Sequence, residues 1–300
     1  MNPVLLGYTR LARPANLPTA AADILAGVAI AGIISNSLRT DFLESVPFLD
    51  VFYLVFASVF LYAGGVILND VFDYKIDVLE RPERPIPKGI ISLRSAAVYG
   101  GLVLTIGIFL AFLVTNSSGV IAIALAFAIL FYDAIAKKYN FLGPLNMGLC
   151  RGLNLILGMS VLESLVYWWL AIIPIVYIFA ITLISRGEVH GKNKNHIVLA
   201  GVLYVAVIFA VLAIAYFYTD SLLTTLLYLT LFGFMVFRPL LKAHSENSPK
   251  NIKKAVMAGV ISLIVLDAAM GATFSTWWYG LLILALLPIS IGLSKLFAVT

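Results

Sequence analysis

Charge is scarce in this chain. Of 300 residues only 12% are Asp, Glu, Lys or Arg, against 62% hydrophobic, and the mean hydropathy is +1.02. A water-soluble globule of this size cannot cover its surface with so few charges. That class is excluded, and a polytopic membrane protein is expected. Cysteine is all but missing. Cys150 stands alone inside an apolar run, so no disulfide can form within the chain and no cysteine-based metal centre is expected. Its simplest role is that of a small buried hydrophobe. Low-complexity tracts and Gly/Ser/Pro-rich linkers are absent too, and no cleavable signal precedes the first apolar run, so residues 1–300 are expected to form a single membrane domain.

What the chain does have is a series of long apolar segments. Ten are recognisable: Asn16–Ser35, Phe48–Leu68, Ser95–Thr115, Gly119–Ile135, Asn146–Leu165, Trp168–Ser185, Ile197–Tyr218, Leu222–Phe237, Ile252–Met270 and Trp277–Leu296. A lipid-exposed backbone must satisfy its own hydrogen bonds, so these segments predict an all-α bundle of nine to ten transmembrane helices. The last is the weakest as a separate span and can equally be interfacial or re-entrant. The net charge of +5 could signal nucleic acid, but the distribution of basic residues argues for topology instead. With the N-terminus inside, 18 of the 20 Lys and Arg residues fall in inner segments, Arg39 falls outside and Arg151 lies within a span. A multi-pass protein of a bacterial plasma membrane with a cytoplasmic N-terminus is therefore expected, with no nucleic-acid partner.

The inner end of the second segment carries the chemistry. NDVFDYKID places Asp70, Asp73 and Asp77 at steps of three and four, one stripe of a helix, with Asn69 beside Asp73. Carboxylates so arranged repel one another unless a cation sits among them. Mg²⁺ binds through one or two carboxylates plus substrate phosphate oxygens, so the stripe points to diphosphate chemistry at a membrane edge. A solvated, charged helix end is the plainer alternative.

Five stretches now carry a resemblance. ARPANLP (Ala12–Pro18), NDVFDYKID, RPERPIPKG (Arg81–Gly89), YDAIAKK (Tyr132–Lys138) and GPLNMGLCRGLNLILG (Gly143–Gly158) resemble, in order, motifs of the UbiA superfamily of intramembrane prenyltransferases. The resemblance covers about the first half of the chain. It implies Mg²⁺-dependent transfer of a prenyl group from an isoprenoid diphosphate to an aromatic or other lipophilic acceptor. Asp70 and Asp73 would hold the metal, with Asp77 a further ligand or a surface ion-pair partner. Asn69 would orient a ligand or bind phosphate. Lys137 and Arg151 would neutralise diphosphate oxygens, although a buried arginine can instead pair with a structural acid such as Asp23 or Asp267. Arg13 and Asn16 would line the entrance, Arg84 would cap a phosphate, and Tyr132 would hydrogen-bond phosphate or sit in the aromatic belt.

One family feature is lacking. Where a second, paired-aspartate motif closes the sixth helix, this chain reads ISRGEVHGKNKNH, Ile184–His196, with Glu188 as its one carboxylate. The departure resembles a divergent branch, the EboC-like proteins. Here Glu188 would hold a second metal alone, His190 would act as general base, and Arg186 and Lys192 would stand in for a cation. Two other functions fit the same residues. One is a non-catalytic prenyl-lipid binder. The other is a transporter of a lipid or anionic solute, for which the intramembrane Asp23, Arg151 and Asp267 would suit a path.

Overall fold

The computed structural model describes residues 3–32, 47–162, 165–188 and 193–297; Arg39, His190 and Lys192 lie outside them. The described residues are helical with no strand. In chain order the helices are α1 (Pro3–Leu11), α2 (Leu17–Ile30), α3 (Phe48–Phe72), α4 (Tyr74–Glu80), α5 (Leu93–Phe112), α6 (Asn116–Ala134) and α7 (Leu142–Met159). There follow α8 (Ile172–Ser185), α9 (Lys194–Tyr218), α10 (Leu222–Ser245), α11 (Pro249–Phe274), α12 (Trp277–Leu284) and α13 (Leu286–Leu296). Nine helical segments among the described residues are long and apolar enough to cross a membrane.

Several helices begin where the apolar runs do because a hydroxyl caps them. Ser92 accepts from the Ser95 amide at 3.0 Å to start α5, and Thr115 accepts from that of Ser118 at 2.9 Å to start α6. Two sequence expectations need correction. The aspartate stripe does not ride one continuous helix: α3 ends at Phe72 and α4 begins at Tyr74, with Asp73 as the joint. Helical bonds nonetheless bridge the break, from the Asp73 amide to the Asn69 carbonyl and from that of Asp77 to that of Asp73, both at 2.9 Å. The stripe is therefore bent and not scattered. The last apolar run is also two helices. Pro288 lacks an N–H and its ring crowds the carbonyl of Leu284, which parts α12 from α13 at Ala285.

Helices α2 and α11 form the interior. α2 packs against α3, α7 and α11, and nearly all of its residues from Pro18 to Ile30 are buried. The outward residues of α5, α9 and α10 are large and apolar, and Phe109, Phe209 and Leu227 are more than half exposed, as a lipid-facing surface requires. Helices in lipid gain no hydrophobic drive toward one another, so close packing of small residues holds them together. The α2–α7 contact shows this. A Cβ on Gly158 would overlap the Ile24 carbonyl, and one on Gly27 would overlap that of Leu155. The C-terminal pair closes on the same centre: Tyr279 donates to the Leu25 carbonyl at 2.8 Å, and Ser290 to that of Ala15 at 2.6 Å.

Gly158→Val should therefore force α2 and α7 apart, at about 1–3 kcal/mol of overpacking. Gly101→Ala meets nothing within 4 Å and should be neutral. Thermal unfolding in detergent, followed by loss of monodisperse protein, compares the two. Equal midpoints would show that the glycine contact does not hold the bundle.

Candidate active site at the bundle rim

Four helices present one face each to a cavity of ≈ 260 Å³. From α3 come Ser58, Tyr62, Gly65, Val66 and Asn69, and from α6 come Leu125, Ile129, Tyr132 and Asp133. From α7 come Met147, Cys150, Arg151 and Asn154, while α2 gives Ala20, with Arg13 just ahead of it. Each set recurs at steps of three and four, the spacing of a single helix face. Along α3 the lining runs from Ser58 to Asn69, eleven steps or about 16 Å at 1.5 Å per residue. The walls are apolar, whereas both ends are polar.

At the rim end, charges are interlocked. Arg13 meets Asp70 at 2.5 Å, and Arg84 bridges Asp70 at 3.0 Å and Asp77 at 2.7 Å. Lys137 meets Asp73 at 2.6 Å and Asp133 at 3.7 Å. Asn69 donates to Asp133 at 2.7 Å. Thus Asp70, Asp73, Asp77 and Asp133 share three cations, Arg13, Arg84 and Lys137, and the rim is one positive charge short of neutrality. Burial works against the Arg13 guanidinium, but Asp70, Tyr62 and Asp77 together hold its pKa above the ordinary value. Arg13 is also the one non-glycine residue with positive φ among those described, at φ 46 and ψ 63. A left-handed backbone at such a residue costs about 1–3 kcal/mol, and it turns the chain between α1 and α2 where the side chain meets Asp70.

The donor set suits a hard divalent cation, since carboxylate and amide oxygens are the ligands Mg²⁺ prefers. Among the described residues no group of three or more His, Cys, Asp or Glu side chains is placed to hold a metal ion by itself. Mg²⁺ can be held by one or two carboxylates, with water and phosphate oxygens completing its shell.

The structure gathers most of the expected residues but not all. Asp70, Asp73, Asp77, Asn69, Arg13, Arg84 and Lys137 form the rim network, and Tyr132 lines the cavity. Asn16 stands at the start of α2 and supplies a backbone carbonyl to Thr19, without lining the cavity. Arg186 turns away from the cavity: its Nη1 donates to Asn140 and its Nη2 to the Tyr139 carbonyl at 2.6 Å, so it anchors the α6–α7 connection. Glu188 is half-buried. Burial raises its pKa, with Lys253 and Arg81 as the nearest counter-charges, and no ion pair joins it to the rim. His190 and Lys192 fall outside the described residues. Arg151 does not reach the rim. It pairs with Asp23 at 2.8 Å, one of the two acids the sequence suggested, and donates to Thr19 at 2.7 Å.

Sequence reasoning missed Asp133. The signal was present, since Asp133 and Lys137 stand at i and i+4 of one motif, but a lone aspartate beside a lysine looks like an ordinary helix-end pair. Asn154 and Tyr62 were missed because a single polar side chain in an apolar run carries no spacing signal.

Comparison with known proteins bears on the same features. The digeranylgeranylglyceryl phosphate synthase of Methanococcoides burtonii is 38% identical over 155 residues, 51% of this chain and 54% of that protein. The synthase of the same name from Methanosarcina mazei is 36% identical over 130 residues, 43% of this chain and 45% of that protein. The chain thus spans about half the length of the curated relatives it matches. Among solved structures, one from work on digeranylgeranylglyceryl phosphate synthase in membranes superposes with a TM-score of 0.66 at 19% identity, covering 90% of this chain and 98% of that one. A UbiA homologue from Archaeoglobus fulgidus bound to DMAPP and Mg²⁺ gives 0.65 at 14% identity, covering 88% and 99%. At such identities these two show the fold. The UbiA prenyltransferase family model matches residues 24–257, most of the chain and nearly all of its helical bundle, and the chain belongs to that family.

Proposed function

We propose that this chain transfers a prenyl group from an isoprenoid diphosphate to a lipophilic, hydroxyl-bearing acceptor, with Mg²⁺ as cofactor. The basic-residue distribution supports a reading in which the reacting end faces the cytoplasm. The observation that carries this reading is a rim of four carboxylates and three cations, one positive charge short, at the mouth of an apolar-walled cavity. A diphosphate and its divalent cation arrive together, and both signs of charge await them. Support also comes from the synthases named above and from the A. fulgidus homologue with DMAPP and Mg²⁺. The glyceryl product in those synthases' name favours a lipid alcohol over an aromatic acceptor.

Asp70 and Asp73 would hold the metal, with Asp77 and Asp133 within the same network. Bound Mg²⁺ would supply Lewis-acid neutralisation of the departing diphosphate. With these carboxylates holding the metal, Arg13, Arg84 and Lys137 would be left to meet phosphate oxygens, while Asn69 positions Asp133. The acceptor oxygen bonds to C1 of the prenyl chain as the C1–O bond to diphosphate breaks. The electron pair leaves with the diphosphate, which also takes the hydroxyl proton. The apolar walls keep water from the electron-poor allylic carbon.

Asp70→Asn and Asp73→Asn should each lower Mg²⁺-dependent release of pyrophosphate from geranylgeranyl diphosphate at least about 100-fold, the scale of one lost charge-stabilising group. Size-exclusion profiles should be unchanged. Wild-type turnover in both would remove the metal assignment. Chelation with EDTA should abolish release and added Mg²⁺ should restore it; release that persists in EDTA would exclude metal dependence. Asp133→Asn keeps the shape but frees Lys137 from one partner, and should reduce turnover while leaving the thermal midpoint within a few degrees. Diphosphate binding without pyrophosphate release would indicate a binder, and labelled lipid crossing liposomes would indicate a transporter.

A further inference from the structure

The three cations of the active-site rim all have acids beside them. A second group of cations at the same end of the bundle has none. Successive spans run in opposite directions, so the connection between α10 and α11 lies at the end that carries the aspartate rim. Within it Asn247 accepts from the amide of Asn193, in the α8–α9 connection, at 3.2 Å. There Arg238, Pro239 and Lys242 of α10 face Asn251 and Lys254 of α11 across a groove of ≈ 200 Å³. Arg238 and Lys242 stand at i and i+4 of one helix, where like charges repel, and Lys254 adds a third positive charge from the helix opposite. None of the three forms an ion pair among the described residues. The carboxylate of the connection, Glu246, accepts instead from Asn251 Nδ2 at 3.0 Å, and the same Nδ2 donates to the Glu246 carbonyl at 3.1 Å.

The side chains one turn deeper are apolar and point outward. Phe234 stands four residues before Arg238 on a helix that runs toward this end, and Met257 three residues after Lys254 on a helix that runs away from it. Phe234 is 62% exposed and Met257 50%, so both walls carry cations above and lipid-facing surface directly below. The Arg238 guanidinium lies 5.7 Å from the centre of the Phe234 ring, which steadies it between the two zones. Topology alone asks for basic residues at this end. Lys250 and Lys253 meet that need from the same segment without lining the groove. Topology does not ask for bases on the facing sides of two packed helices. An acidic segment of a soluble protein would match the charge but not the apolar side chains below it. An anionic phospholipid matches both: its phosphate meets the three bases, and its acyl chains run down past Phe234 and Met257. Basic pockets between helices at a membrane face take such head groups.

We propose that the α10–α11 groove binds the head group of an anionic phospholipid, with Arg238, Lys242 and Lys254 on its phosphate. The groove shares no residue with the candidate active site, and the proposal does not rest on the prenyl-transfer reading. Bound lipid supplies the counter-charge that the chain itself lacks there, and it ties α10 to α11 at their shared end.

The test uses the full chain, reconstituted in vesicles of equimolar phosphatidylcholine and phosphatidylglycerol and then extracted in mild detergent. The lipid that stays with the protein is quantified by mass spectrometry. Wild type should retain phosphatidylglycerol over phosphatidylcholine by at least about 10-fold, within what three bases at a membrane surface supply. Arg238→Gln/Lys242→Gln/Lys254→Gln should bring the two lipids to near parity. Lys194→Gln/Lys250→Gln/Lys295→Gln removes the same charge from exposed bases outside the groove and should keep the preference. Parity in the wild type overturns the proposal, and so does a preference that survives the groove substitutions. An equal loss in both triple variants also overturns it, since net charge and not the groove would then attract the lipid. Should the groove variant not yield monodisperse protein, Lys242→Gln/Lys254→Gln is compared with Lys194→Gln/Lys250→Gln in the same way.

Discussion

A charge in a hydrocarbon slab must bring its partner with it, and this constraint organises the molecule. Every charged group that lines or borders the cavity is paired. Arg13 and Arg84 hold Asp70 and Asp77, Lys137 holds Asp73 and Asp133, and Arg151 holds Asp23. Removing Asp23 would leave Arg151 as a buried, uncompensated charge, which costs far more than the pair itself contributes, whereas at the rim Arg84 and Lys137 each keep a second acid. The helices that bear these groups are therefore tied together at both ends of the cavity, and small residues such as Gly27 and Gly158 allow the backbones to approach between them.

The two polar ends are built on different balances. At the rim, four acids share three bases, which leaves room for a cation and keeps three bases that can turn to an anion. At the deep end, Arg151 is already matched by Asp23. An open balance at the rim suits a ligand that brings both a cation and an anion.

The missing paired aspartates of the sixth inner segment can be viewed in the same terms. Arg186, one of the cations expected to stand in for a metal there, instead donates to the Tyr139 carbonyl and to Asn140. Glu188 looks toward Lys253 and Arg81. The charge that the cavity does collect comes from the first half of the chain, with Asp133 added to the aspartate stripe through Asn69 and Lys137.

By itself the sequence determined the class, the helices and the rim. Apolar length dictates helices in lipid, and a stripe of Asp70, Asp73 and Asp77 followed by Arg84 is a local pattern that spacing can reveal. It did not determine the bend at Asp73, the split at Ala285 or the partners of Arg151. Those depend on residues far apart in the chain: Arg151 and Asp23 are separated by 128 positions, and Arg13 and Asp70 by 57. Only the tertiary structure decided which acid each base would neutralise, because pairing in a low-dielectric interior follows distance in space, on which the order of residues places almost no limit.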